Sequence, residues 1–314
     1  MSENLKIFLV SVTVTFLTAL SVLFQLGAFT EIDNGRAAEV AEETVLGVPL
    51  KYELSCPERG EIRELFYDAV TLDGADVTKR AMVYVPYDYE LSGADYNVLY
   101  FYHGNKDDET ALFSHGEILS VIDNLIYYGD IEPLLIVTPT WNDKENTDTK
   151  REAKSAGVKA LAATELRKYL IPAVEDAYRT KAENAGEAEA GKHRALAGLS
   201  YGAMMTLHAG ILENYELFSS YGVISGAWCS PVSLSAAVAE GYEEGFSLDL
   251  LYAVNGSCDF TLTDHLAVMT ALDALSPYVE KGENYRFLSV PKGSHDWELW
   301  ELSIYDLLQA LWKN

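Results

Sequence analysis

The chain has 314 residues, of which 48 are acidic and 23 are lysine or arginine, giving a formal charge of −25 at pH 7. Such an anionic excess repels polyphosphate and leaves no counterion-release term for binding DNA or RNA, so nucleic acid drops out as a partner. A hydrophobic content of 49% argues against disorder, and three cysteines (Cys56, Cys229, Cys258) without C-x-x-C spacing argue against a disulfide scaffold or a structural zinc site.

In chain order, the first feature is an uncharged apolar run of 23 residues, Ile7–Phe29. As a helix it would be about 34 Å long, enough to cross a hydrocarbon core of roughly 30 Å. Residues 1–30 are therefore expected to be a cleaved signal peptide or an uncleaved membrane anchor. Lys6 precedes the run, while Glu31, Asp33, Glu39, Glu42 and Glu43 follow it against Arg36 alone. Positive charge stays inside, so the bulk of the chain is expected on the extracytoplasmic side. Residues 31–47 are polar and Ala/Glu-rich and read as a linker. In that compartment disulfides can form, and an odd number of cysteines leaves at least one thiol free or paired to another molecule.

From residue 48 onward, short apolar runs alternate with longer helical patterns. Ile62–Val70 and Arg80–Pro86 read as two strands joined near Asp73-Gly74. Apolar runs follow at Asn97–Tyr102, Leu134–Pro139, His193–Leu199, Tyr221–Ser225, Leu250–Asn255 and Tyr285–Val290, each apolar on both faces as interior parallel strands are. Helices are expected at Glu117–Tyr128, Ala153–Tyr178, Gly202–Asn214, Ser233–Glu240, Thr263–Leu275 and Trp297–Trp312. The Ala182–Gly191 stretch reads as a solvated surface loop. The pattern predicts an α/β domain over residues 48–314, a doubly wound, mostly parallel sheet with antiparallel N-terminal strands.

Gly198-Leu199-Ser200-Tyr201-Gly202 fits G-x-S-x-G, between an apolar strand and a helical pattern. That context is a strand–turn–helix elbow with the Ser200 hydroxyl at its apex. A hydroxyl needs a base, and the base needs an orienting carboxylate. In this elbow architecture the chain order is Ser, acid, His, which sets aside His103 and His115. His193 falls at the far end of the strand, His208 too far down the elbow helix, and His265 at a helix start before the last strand. His295 remains, just past the end of the last strand, where α/β sites assemble. Asp259, four residues past the strand Leu250–Asn255, best fits the acid; Asp264 is the rival and reads as a helix N-cap. The oxyanion donors are expected to be the N–H of Tyr201 and that of Gly104 or Asn105, in the loop His103–Glu109.

With these residues in view, the chain resembles a carbohydrate esterase of the feruloyl esterase type (carbohydrate esterase family 1), close to the esterase modules of bacterial xylanases. These belong to the esterase D/antigen 85-like branch of the α/β-hydrolases. The resemblance runs from Cys56-Pro57 to the C-terminus, on VYVPYDY (Val83–Tyr89), NVLYFYHG (Asn97–Gly104), IEPLLIVTPT (Ile131–Thr140), LIPAVE (Leu170–Glu175), GLSYG, SGAWC (Ser225–Cys229), NGSCD and GSHDW. It implies the α/β-hydrolase fold and the triad Ser200, Asp259 and His295. It also implies an acyl-enzyme route for releasing feruloyl or acetyl groups from plant polysaccharide, without metal or organic cofactor. One departure stands out: the family's oxyanion loop is often HGGGG-like, whereas here it reads HGNKDDE, more acidic and more rigid. Resemblance and sequence together place Trp141 and Trp228 near the mouth, as platforms for a phenolic acyl group or sugar, or else as packing residues. Alternatives within the branch are acyl transfer to a sugar, or siderophore or thioester hydrolysis. Outside it, the alternative is a surface carbohydrate-binding protein on a disabled hydrolase fold.

Overall fold

The computed structural model describes residues 47–141 and 156–313. The apolar run Ile7–Phe29, the linker up to residue 46 and the first residues of the helix expected from Ala153 lie outside them. Among the described residues, eight strands form one sheet: β1 (Glu61–Val70), β2 (Asp76–Val85), β3 (Asn97–Tyr102), β4 (Leu134–Thr138), β5 (Arg194–Leu199), β6 (Ser220–Ile224), β7 (Leu250–Gly256) and β8 (Tyr285–Val290). Their spatial order is β1-β2-β4-β3-β5-β6-β7-β8. β1 and β2 form an antiparallel hairpin in register from Glu61↔Val85 to Val70↔Asp76, and β2 runs antiparallel to β4. From β4 through β3 to β8 every pairing is parallel. The expected α/β-hydrolase arrangement, mostly parallel with an antiparallel start, is the one observed.

The residues of β3, β4, β5, β6 and β7 are all buried, which explains their unbroken apolar runs: each strand is covered on both faces. On one face lie α1 (Ile118–Tyr127) and, at the C-terminal end of the described chain, a long helix, Trp297–Ala310. Val121, Ile122 and Leu125 of α1 share a core cluster with Leu299, Ile304 and Leu307 of that final helix. The same cluster holds the strand residues Leu99, Phe101, Ala197 and Val254. Burying such side chains stabilises the fold by roughly 1.5–3 kcal/mol each relative to exposure.

The longer helices among the described residues also include α2 (residues 156–177), α3 (Tyr201–Met205, extended by a wide turn Thr206–Leu212), α4 (Pro231–Glu243), α5 (Leu262–Asp273) and α6, the final helix just described. Two local departures from ideal helix have sequence causes. In α2 the backbone widens to π geometry at Leu166–Leu170, ending two residues before Pro172. A proline inside a helix has no N–H and collides with the carbonyl four residues back, and the wide turn relieves both. In α3 the widening at Thr206–Leu212 begins where the Thr206 hydroxyl donates to the Gly202 carbonyl, 3.0 Å away, in competition with the helix ladder.

The stretch 182–191, expected to be a solvated loop, is more structured. Ala182 and Ala190 are buried and Glu187–Ala190 forms a helical turn, because the segment returns the chain to β5 against the body of the domain. β2 also starts earlier than expected, at Asp76, since pairing along the hairpin carries its polar first residues into the sheet.

Candidate active site

The site is built at the C-terminal ends of the parallel strands. Ser200 joins β5 to α3 with φ 54° and ψ −118°, a conformation that a non-glycine residue adopts only under constraint. The constraint is close backbone approach. A Cβ on Gly202 would stand 2.1 Å from the Tyr102 carbonyl oxygen, and one on Gly198 would stand 2.5 Å from Gly202. A Cβ on Gly226, after β6, would stand 2.2 Å from the Ser200 carbonyl. Only glycine lets three strands crowd the turn and hold the hydroxyl at its apex.

Around it the structure brings together the residues expected from chain order. His295 Nε2 lies 2.9 Å from Ser200 Oγ, and His295 Nδ1 lies 3.0 Å from both carboxylate oxygens of Asp259. A carboxylate only accepts, so Nδ1 carries the proton and Nε2 presents its lone pair to the serine hydroxyl. Asp259 is buried, which by itself would raise its pKa. Donation from His295 and from the Thr261 backbone N–H outweighs that and holds the carboxyl below its usual range. Thr261 contacts Asp259 Oδ1 twice, by its N–H at 2.9 Å and its hydroxyl at 2.8 Å, and accepts in turn from Asn255 Nδ2 at 2.9 Å. Neither role was expected from the sequence, although Asn255 opens the NGSCD motif and Thr261 lies two residues past it.

Asp264, the rival acid, is not a cap. Thr261 occupies the N-cap of α5 and Asp264 lies in the first turn, where it accepts from the Trp228 indole N–H at 2.8 Å. The remaining histidines sit apart from the serine's proton. His193 contacts Asn97 Oδ1 at the opposite strand ends, His208 contacts the Trp228 carbonyl, and His115 stacks on Trp297 with ring centroids 4.2 Å apart. His265 is fully buried against Phe287, and burial pulls its pKa down to about 3.

Beside Ser200 lies the loop that follows β3. Gly104 abuts Ser200, and a Cβ there would be 3.5 Å from Ser200 Cβ. Asn105 follows, half-buried, in the turn with Lys106, whose φ is 68°. Tyr201 opens α3, so its N–H belongs to the helix's first turn, whose N–H groups have no carbonyl a turn earlier. Gly104 and Tyr201 thus both adjoin Ser200.

The acidity of this loop is turned inward. Asp108 Oδ1 accepts from the Thr110 N–H and hydroxyl, at 2.9 and 2.6 Å. Glu109 is buried and paired to Arg80 at 2.8 Å. Burial raises the Asp107 pKa, with His115 opposing. Behind the loop, His103 Nδ1 donates to the Gly104 carbonyl at 2.7 Å, and its Nε2 accepts from the Thr140 hydroxyl at 3.0 Å. Burial holds the His103 pKa down to about 4, so the ring is neutral. The Thr140 carbonyl accepts from Lys79, which is paired at 2.7 Å to the buried Glu165.

Of the two readings of Trp141, platform or packing residue, its placement matches the second. It is 4% exposed, donates to the His103 carbonyl at 2.9 Å and stacks on the His103 ring, so it braces the loop that follows β3. Tyr201 contacts Trp141 on one side and Trp228 on the other. Trp228 is half-buried and is the member of the row open to solvent. The sequence also gave no sign of Phe260, whose ring centroid lies 4.4 Å from that of His295, or of Trp300, edge-on to the same imidazole. Cys56, Cys229 and Cys258 are free thiols.

With this geometry in hand, comparison with known proteins gives a consistent result. The Esterase family model matches residues 76–311. The chain is 29% identical over 275 residues to an endo-1,4-beta-xylanase Y of Acetivibrio thermocellus, covering 83% of this chain and 24% of that protein. It is 31% identical over 170 residues to an endo-1,4-beta-xylanase/feruloyl esterase of Xylanibacter ruminicola, covering 52% of this chain and 21% of that one. The chain thus spans less than a quarter of the length of either curated relative. Among solved structures it is similar to a serine-to-alanine mutant of the feruloyl esterase module from Clostridium thermocellum complexed with sinapinate. That match has a TM-score of 0.73 and 27% identity, covering 86% of this chain and 94% of that one. A ferulic acid esterase from Anaeromyces mucronatus, at 18% identity and TM-score 0.62 over 85% of this chain and 97% of that one, shares the fold. Residues 76–311 cover well over half of the chain, and the protein accordingly belongs to the Esterase family, carboxylic ester hydrolases on the α/β-hydrolase fold.

Proposed function

We propose that the protein is an exported serine esterase that releases feruloyl or acetyl groups from plant cell-wall polysaccharide through an acyl-enzyme. The observation that carries the reading is the continuous chain Ser200 Oγ, His295 Nε2, His295 Nδ1, Asp259, with contacts of 2.9 and 3.0 Å. Ser200 Oγ attacks the ester carbonyl carbon while its proton passes to His295 Nε2. The carbonyl oxygen becomes an oxyanion between the backbone N–H of Tyr201 and the Gly104-Asn105 backbone. The bond to the alcohol oxygen then breaks, and His295 hands that oxygen the proton, freeing the alcohol and leaving the acyl group on Ser200. Water attacks the acyl-enzyme, losing a proton to His295. The Ser200–acyl bond breaks, the proton returns to Ser200, and the acid departs. Asp259 stays ionised throughout and stabilises the imidazolium formed in both steps.

The polysaccharide part of the reading is supported by the xylanase and feruloyl esterase relatives. The acyl side is assigned to the Tyr201–Trp228 face, where an aromatic row borders the serine. Export is supported by the charge asymmetry about Ile7–Phe29. In intact cells, added protease should remove the domain if the segment is an anchor. Culture medium should contain the domain if the segment is cleaved. Full-length chain recovered from cytosol and protected from the protease would contradict export.

The direct test is hydrolysis of p-nitrophenyl acetate, methyl ferulate and a feruloylated xylo-oligosaccharide by the wild type and Ser200→Ala. The substitution removes one oxygen from a turn and no core volume. Activity on at least one ester should fall by several orders of magnitude in a variant that still folds. A variant retaining more than about a tenth of wild-type kcat would overturn the assignment.

A further inference from the structure

In the reaction proposed above, His295 Nε2 delivers its proton to the departing alcohol oxygen. The alcohol half of the ester must therefore lie on the His295 side of Ser200, whichever acyl group occupies the other side. Three groups meet the imidazole there. Asp259 holds its Nδ1 edge, Trp300 meets it edge-on at 5.1 Å and is 8% exposed, and Phe260 lies over it at 4.4 Å. Of the two aromatic rings, only Phe260 is open, with 73% of its surface exposed. A ring that served merely to shield His295 would lose most of its own surface in doing so.

Phe260 is also held in place. Its neighbours are pinned by Asp259 N to the Gly256 carbonyl at 3.1 Å, Thr261 N to Asp259 Oδ1 at 2.9 Å, and Leu262 N to the Asp259 carbonyl at 3.1 Å. Asp259 turns inward to His295, and the next residue in this tight turn faces outward. The result is an uncharged, preorganised aromatic surface beside the proton donor. The exposed Asp296 and Glu298 nearby, on a chain of net charge −25, disfavour an anionic alcohol there.

We infer that Phe260 forms the leaving-alcohol subsite, stacking on the C–H face of the neutral sugar ring that carries the ester oxygen. The inference rests on the esterase reading and adds to it the residue that selects a sugar ester over a simple alkyl ester. Two esters with one acyl group and different alcohols isolate the effect, because they share the same acyl-enzyme. Only acylation, and hence kcat/KM, senses the alcohol.

The experiment compares methyl ferulate with a feruloylated arabinoxylo-oligosaccharide in wild type, Phe260→Ala and Phe260→Trp, reading the ratio of kcat/KM for the sugar ester to that for the methyl ester. Phe260→Ala should lower the ratio about tenfold and Phe260→Trp should restore it. A ratio unchanged within about twofold in Phe260→Ala, whether both activities fall together or neither falls, would overturn the subsite. Wild-type enzyme inactive on both ferulates would instead overturn the feruloyl esterase reading on which the subsite stands.

Discussion

Two histidines serve the site, His295 against Ser200 and His103 behind the adjoining loop, and their partners give them opposite characters. His295 donates from Nδ1 to a carboxylate and leaves Nε2 facing the serine hydroxyl. His103 donates from Nδ1 to the Gly104 carbonyl and accepts at Nε2 from Thr140, while Trp141 covers its face. The first has a carboxylate that would balance an imidazolium formed by proton transfer. The second has none in hydrogen-bond contact, and burial holds its pKa down to about 4. The same side chain can thus be a proton carrier or a strut, according to whether its Nδ1–H meets a carboxylate or a carbonyl.

The sharpest way to break this comparison is to change the carboxylate. Asp259→Asn should lower kcat by roughly 10³–10⁴, because an amide in that place favours the wrong imidazole tautomer. Asp264→Asn, five residues on, should change kcat by less than about threefold, since Asp264 bonds to Trp228 and not to His295. Kinetics on methyl ferulate would check both, and the reverse ranking would transfer the acid's role to Asp264.

The strut side should respond more mildly. Trp141→Phe keeps a ring against His103 but removes the donor to the His103 carbonyl. A buried acceptor left without its partner costs about 1–3 kcal/mol. We expect kcat to fall about tenfold with KM little changed, because the loop that faces the oxyanion loosens while the substrate's own contacts persist. An unaltered kcat would show that Trp141 does not brace that loop.

A smaller effect concerns stability. His103 and His208 have pKa values pulled down to about 4, and His265 to about 3, in each case by burial first. In the unfolded chain these imidazoles take up protons near pH 6.5, whereas the folded protein keeps them neutral. Unfolding then binds protons, so their contribution to stability is complete above pH 6.5 and is lost as pH falls from there towards 4. Urea midpoints at pH 7 and pH 5.5 should show a decline in the wild type and a shallower one in His265→Phe. A variant whose midpoint falls as steeply as the wild type's would contradict this.

Much of the fold was legible because burial on both faces writes itself as unbroken apolar runs, as in Asn97–Tyr102 and Leu250–Asn255. The polar start of β2 at Asp76 was not, because cross-strand pairing with β1 and not hydrophobicity makes it a strand. Of the site, Ser200, Asp259 and His295 could be named by chain order and strand ends, since the elbow motif restricts where partners fall. Thr261, Asn255 and Phe260 could not be named so, because their roles depend on contacts made in space by a turn whose residues look ordinary in sequence. Trp141 was legible as a residue near the mouth. Whether it faces solvent or His103 is decided by packing, and packing placed it inside.

The measurement that tests the central claim most directly is mass spectrometry of the protein after brief reaction with a fluorophosphonate, which phosphonylates an activated serine and releases fluoride. The account predicts a single adduct on the peptide containing Ser200, formed rapidly in the wild type, slowly in Asp259→Asn and at no other residue in Ser200→Ala. An adduct on a different residue, or wild-type esterase activity surviving quantitative labelling of Ser200, would contradict it.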